Sequence, residues 1–236
     1  MIEVRLPGGR AAFTTRRGGV SKGPYESLNL GILTDDEPER VIENRRRAAV
    51  AAGLAPERIA MGWQVHGAEV REWHGPPEEP AYRRPGATLD RVDGHLTSVA
   101  GLGLLVLAAD CLPVALASPD QVAMLHCGWR GLAAGIVQRA AERFVDPPAA
   151  VVGPAIGRCC YEVGPEVLEA FSDLEGVADG RMLDLRAVAH AKLRAAGVEP
   201  VEDVDLCTSC RPDLFFSHRR DRGITGRQGG IVWREA

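Results

Sequence analysis

Apolar residues along this chain come in short runs whose period changes. GLGLLVLAADCLPVALASPD, residues 101–120, reads as two apolar strands around Asp110–Cys111, closed by the turn Ser118–Pro119–Asp120. QVAMLHC, 121–127, predicts the next strand, and GLAAGIVQRAAERFV, 131–145, an amphipathic helix that ends before Pro147–Pro148. AAVVGPAIG, 149–157, repeats strand then turn. Upstream, Asp36 is placed to cap a helix with Pro38 in its first turn, running through ERVIENRRRAAVAAG to a stop at Gly53. Val41, Arg45 and Ala48 share one face of that helix, which turns Arg45 inward. GWQVHGAEVREW, 62–73, alternates like a strand or hairpin. PEVLEAF and LDLRAVAHAKLRAAG read as helices, and IVW near the end as a short strand. AAFTTRRGGVSKGPYESLNLG, 11–31, alternates strand and loop, while the Pro-rich charged stretch 74–91 reads as a surface loop. Strands interspersed with helices, several hairpin-linked, predict an α/β or mixed α+β fold, with one domain over 1–236 and sheets flanked by helices.

Composition narrows the function classes. Hydrophobic residues make up 45% and charged residues 25%, an ordinary globular balance. A net charge of −4 gives no global field for nucleic acid or anionic membrane, so recognition of phosphate must be local. The longest apolar run, Leu102 to Ala109, is far below the ~18–20 residues of a membrane helix. The first residues, MIEVRLPGGR, lack a signal pattern, and six cysteines without a leader point to thiols, ligands or nucleophiles in a cytoplasmic protein.

Three stretches share one character: Gln64–Val65–His66–Gly67, Ala109–Asp110–Cys111–Leu112–Pro113 and His126–Cys127–Gly128–Trp129–Arg130–Gly131. Each sets a soft or borderline metal ligand at the end of an apolar strand, beside a breaker, and strand ends converge on the sheet edge where α/β sites are built. Two histidines and one cysteine would supply three ligands to Zn²⁺ and leave the fourth position open, the mark of a catalytic site. A lone histidine at a strand end is commonly a core residue; three such motifs in one chain favour a metal or a Cys–His pair. His126 and Cys127 are adjacent, so an extended strand points them to opposite faces, and Asp110 and Cys111 reach one ligand together only through a bend. Cys159 and Cys160 are either ligands or small core residues, and core is the preferred reading. The Cys207-x-x-Cys210 spacing, lacking a second pair of the same form, is read as structural or incidental. Arg219, Arg220, Arg222 and Arg227 form either a solvated loop or an anion-binding rim.

TTRRGGVSKGPYESLNLG, ENRRR, QVHG, ADCLPV, HCGWRG, GPAIG, CCYEVG and FFSHRRD…TGR occur in the order found in the YfiH-like family, whose members are also called laccase-domain, polyphenol oxidase or peptidoglycan editing factor proteins. The resemblance runs from about Thr14 to the last strand. It implies a mixed α/β domain related to bacterial toxin deamidases that use a Cys and a His. It also implies a zinc-dependent purine nucleoside phosphorylase acting on adenosine, inosine and methylthioadenosine, with adenosine deaminase activity. Carried over by position, it places metal ligands, and the catalytic residues, on His66, Cys111 and His126, and a phosphate or substrate contact on Arg45. Arg130 is a second fork for phosphate. Where many relatives carry Ala, this chain has Cys127.

The implied partners are a purine nucleoside and phosphate. Deamination would use metal-activated water at C6, and phosphorolysis would use phosphate at C1′; Asp110 and Asp93 are the candidates for a general acid. Three readings compete. A Cys–His amide hydrolase acting on a peptidoglycan precursor would use Cys111 as nucleophile and His126 as base. A copper polyphenol oxidase would need several His-rich clusters, which six histidines supply poorly, although Cu²⁺ at the same three ligands is chemically reasonable. A non-catalytic binding module would have no need of an open His₂Cys site.

Overall fold

The computed structural model describes residues 1–79, 82 and 89–235. In chain order the elements are β1 (Ile2–Leu6), β2 (Gly9–Phe13), α1 (Pro38–Ala51), β3 (Ile59–Ala60), β4 (Val70–Trp73), β5 (Gly94–Thr97) and β6 (Gly103–Ala108). Then follow β7 (Leu112–Ala117), β8 (Val122–Cys127), α2 (Trp129–Ala133), α3 (Ile136–Ala141), β9 (Ala149–Val152) and α4 (Pro165–Glu169). The last are β10 (Ala178–Asp179), β11 (Met182–Leu183), α5 (Leu185–Ala195), β12 (Val201–Asp203) and β13 (Gln228–Arg234).

Two mixed sheets dominate. One runs β1-β2-β13-β6-β3 and the other β12-β9-β7-β8-β5-β4, with β10–β11 a separate ribbon. Strand parity explains why they stack. In β7, Ala115 and Ala117 face the first sheet, while Leu112, Val114 and Leu116 face α3 and α5. In β8, Val122 and Met124 join Phe13, Leu104, Val106 and Val232 between the sheets, and Ala123, Leu125 and Cys127 pack with Leu132, Ile136 and Val188. On the far side of the first sheet, Ala12, Leu105 and Ile231 cover Ala49 of α1 and Tyr82. The result is helix, sheet, sheet, helices, with strands buried on both faces and therefore near-continuously apolar. Among the described residues no helix is long and apolar enough to cross a membrane.

The predicted strand–turn–strand at 101–120 and the strand at 121–127 form as β6, β7 and β8. Four expectations are corrected. Asp36 does not cap α1: Glu37 occupies that position without a side-chain bond, and Asp36 accepts instead from Ser21 Oγ at 2.5 Å and Asn29 Nδ2 at 2.9 Å. The helix predicted over 131–145 is two short helices, parted at Gly135, whose φ of +83° no helix can carry. Residues 62–69 form no strand; the backbone N–H groups of Val65, His66 and Gly67 turn to the Asp93 carboxylate and leave no ladder to make. IVW belongs to a strand of seven residues that lies inside a sheet. The surface loop expected at 74–91 lies partly outside the described residues, at 80, 81 and 83–88.

Candidate active site

At the open end between the sheets, three chain segments meet. His126 continues the row of Val122 and Met124 on β8, so alternation delivers its ring to the gap and sends Cys127 into the helix-covered core. Burial among apolar neighbours pushes the Cys127 thiol up, out of reach of ionisation at neutral pH. Cys111 sits in the β6–β7 connection, after Asp110 with φ of +96°; this is the bend that lets the two adjacent residues point to different tasks. His66 lies in the 62–69 loop at φ of +59°.

Asp93, just before β5, holds the arrangement. It is buried and accepts N–H bonds from Val65 at 3.0 Å, His66 at 2.9 Å and Gly67 at 2.8 Å. The same carboxylate lies 2.8 Å from His126 Nδ1, leaving Nε2 for the gap. One side chain thus sets both the loop that carries His66 and the ring of His126. The two rings stand edge to face with centroids 4.8 Å apart. The donor atoms of His66, Cys111 and His126 all lie within 4.8 Å of one another. Gly128 makes room, since a Cβ there would stand 3.0 Å from His66 Cδ2 and 3.2 Å from Cys111 Sγ.

These donors can hold a metal ion: two imidazoles and one thiol fit zinc or another borderline cation, and three protein ligands leave a coordination position over. Without a metal the same atoms form an ion pair. Burial pushes the Cys111 thiol up, but the His126 imidazolium and hydrogen bonds from His126 and His66 bring it down to about 6. Burial pushes His126 down, and the Cys111 thiolate with Asp93 raises it to about 9. Burial raises Asp93 too, yet bonds from His126 and the backbone at Gly67 and Val65 hold it below the usual carboxylate range. With its oxygens accepting from three backbone N–H groups and facing the His126 ring, Asp93 orients its neighbours; Asp110 accepts from Thr208 Oγ1 at 2.6 Å and the Arg219 N–H at 2.7 Å.

The three donors line a cavity of about 780 Å³, a size suited to a small-molecule ligand. Arg130, stacked on Trp129 at 4.3 Å, and Arg219, 5.3 Å from the Tyr161 ring, line it, as do His218 and Arg227. Arg45 reaches the wall from the buried face of α1, where its Nε donates to the Leu30 carbonyl at 2.9 Å and Nη1 to that of Tyr82 at 3.1 Å. Of the C-terminal arginines, Arg219 and Arg227 line the cavity; Arg220 is tied to Asp221 and to the Thr208 and Phe215 carbonyls, and Arg222 is exposed. Sequence patterns gave no role to Tyr161 or Trp129, although both stand beside quoted motif residues. They also misplaced two cysteines. Cys159 and Cys160 are not core: Cys159 and Cys210 are exposed, and these two pairs converge on one point.

A family model described as multi-copper polyphenol oxidoreductase laccase matches residues 10–235. The chain is 38% identical to purine nucleoside phosphorylase YfiH of Escherichia coli, over 94% of this chain and 93% of that one. It is 36% identical to purine nucleoside phosphorylase YlmD of Geobacillus stearothermophilus, over 96% and 90%. The crystal structure of YlmD from the same organism superposes with a TM-score of 0.89 at 34% identity, covering 97% of this chain and 93% of that one. The Bacillus licheniformis protein YfiH gives 0.89 at 32% identity, covering 96% and 93%. The names of the relatives support an enzymatic role, and the matched length and fold place this chain in the YfiH/YlmD family.

Proposed function

We propose that this chain is a zinc-dependent purine nucleoside phosphorylase whose site is built on His66, Cys111 and His126, with adenosine deamination as a second activity of the same cavity. The observation that carries the reading is the meeting of an open His₂Cys donor set with a ring of arginines in one nucleoside-sized cavity; the names of the curated relatives supply the substrate class. Adenosine, inosine and methylthioadenosine are the substrates to test. Zinc held by these three residues would supply Lewis-acid chemistry at the cavity floor. The protein's own groups do the rest. Arg130, Arg219 and Arg227 bind phosphate as charge-assisted forks. Arg45, also on the cavity wall, braces it through the Leu30 carbonyl. Trp129 and Tyr161 give apolar faces against which a purine and its ribose can lie. In phosphorolysis a phosphate oxygen forms the bond to C1′ as the C1′–N9 bond breaks and the purine leaves with the electron pair.

The Cys111–His126 ion pair favours one second reading, an amide hydrolase with Cys111 as nucleophile. A multicopper oxidase has less support. Of the remaining histidines, His95 is buried against Trp73, His190 pairs with Asp203, His74 is exposed and His218 lines the cavity. Metal analysis together with a nucleoside-plus-phosphate assay separates the readings. Phosphorolysis that needs zinc and disappears in Cys111→Ala is the expected result. Full turnover after chelation, or retained turnover in Cys111→Ala, would overturn it.

A further inference from the structure

On the surface beside the cavity wall, Cys159, Cys160, Cys207 and Cys210 bring four sulfurs within 4.8 Å of one another. Cys210 Sγ lies 3.5 Å from that of Cys159 and 3.4 Å from that of Cys160. Zinc bound to four thiolates at about 2.3 Å would set its sulfurs about 3.8 Å apart, so the four are close enough together to share one ion. All four are free thiols, drawn from two separate turns, the Gly157–Cys160 turn and the Cys207–Cys210 turn. The second has the C-x₂-C spacing of a zinc half-site.

The surroundings are built for sulfur. The Gly157 N–H donates to Cys207 Sγ at 3.2 Å, a bond that stabilises a thiolate. A Cβ at Gly157 would come within 3.3 Å of Cys159 Sγ and 3.4 Å of Cys207 Sγ, so a side chain there would crowd the sulfurs. Main-chain pairing continues on both sides: Ala155 bridges Cys207, and Thr208 N–H donates to the Ala155 carbonyl at 2.9 Å.

We propose that Cys159, Cys160, Cys207 and Cys210 form a second metal centre, a closed structural Zn²⁺ tetrathiolate that staples the segment after β9 to the segment before β13. Closure by four protein ligands distinguishes it from the three-ligand cavity site. Binding sends the thiol protons to solvent and leaves no cysteine of the set unpaired. The two stapled segments are those that supply Tyr161 and Arg219 to the cavity and hold Asp110 through Thr208. The centre therefore fixes one wall of the site without touching its ligand. The assignment is independent of the nucleoside reading.

The test uses full-length Cys111→Ala, which lacks a ligand of the cavity site, so that its metal reports on the second centre. Purified without chelator, this variant is expected to keep about one zinc per chain, to protect four thiols from alkylation until the metal is stripped, and to give the visible spectrum of a tetrahedral cobalt tetrathiolate after exchange. Adding Cys207→Ser and Cys210→Ser should remove that zinc. Should the serine variant fail to fold, the cobalt spectrum of Cys111→Ala alone decides. No metal and no thiolate spectrum, iron in place of zinc, or recovery of the four cysteines as two disulfides would overturn the proposal. Parent protein that carries zinc at the four cysteines and none at the cavity site would count against the nucleoside reading and leave this one standing.

Discussion

Asp93 is the residue on which the candidate site depends most. Its carboxylate takes three backbone N–H groups and the His126 ring at once. Outer-shell carboxylates of this kind set ligand basicity and orientation, and their loss typically costs about 10–100-fold in metal affinity or activity. Asp93→Asn should weaken zinc binding by that factor, read by chelator competition; an unchanged affinity would reduce Asp93 to loop support. Gly128→Ala probes the same geometry from the other side, and its Cβ, 3.0 Å from His66 and 3.2 Å from Cys111, should lower zinc occupancy in the same assay. The three donor side chains that meet at the cavity were legible as candidates because His66, Cys111 and His126 each stand near a breaker at the end of a strand-like run. Asp93 was not legible as their support, since its partners are backbone groups 26 to 28 positions away and a side chain 33 away.

At the scale of elements, short unbroken apolar runs bounded by turn residues located β6, β7 and β8, and the spacing of Val41, Arg45 and Ala48 located α1. Periodicity failed at 62–69 and at Gly135, where one carboxylate and one positive φ override the pattern. β5 carries an element-scale consequence of its own. His95 is fully buried there, its Nδ1 accepting from Trp73 Nε1–H at 3.2 Å and its Nε2 without a hydrogen-bond partner among the described residues. Burial lowers its pKa from 6.5 to about 4. As pH falls the unfolded chain takes up this proton first, so the folded state loses stability from about 6.5 down to about 4. The span corresponds to on the order of 3 kcal/mol. His95→Gln, which keeps an acceptor for Trp73, should flatten the fall, as measured by urea unfolding between neutral and mildly acid pH. An equal slope in variant and parent would show that other groups carry the acid sensitivity.

Across the whole molecule, Asp110 joins parts far apart in sequence: Thr208 is 98 positions away and Arg219 is 109. Bonds to a buried charged group contribute roughly 1.5–3 kcal/mol each. Asp110→Ala should lower stability by about that much and, in a phosphorolysis assay, raise KM for phosphate more than it lowers kcat, because Arg219 loses its anchor. A matched fall in kcat with KM unchanged would assign Asp110 to the chemical step instead. A mixed α/β fold of sheets flanked by helices was predictable from the order and period of the apolar runs, but the face-to-face stacking of the two sheets and the junction of the 205–227 segment with the cavity were not. That segment has few apolar runs, and its place is set by main-chain and carboxylate bonds that leave no periodic trace.

β13 gives this architecture a temporal order. The final strand lies between β2 and β6, in the middle of its sheet, and is antiparallel to both. A chain stopped before Gln228 would leave the β1–β2 hairpin and the β6–β3 pair with facing edges and nothing between them. Their contacts are joined only when the polypeptide through Gln228–Arg234 has been made and has returned across the molecule. Pairing over such sequence distances slows folding, and until it is complete the two open edges are exposed to neighbouring chains.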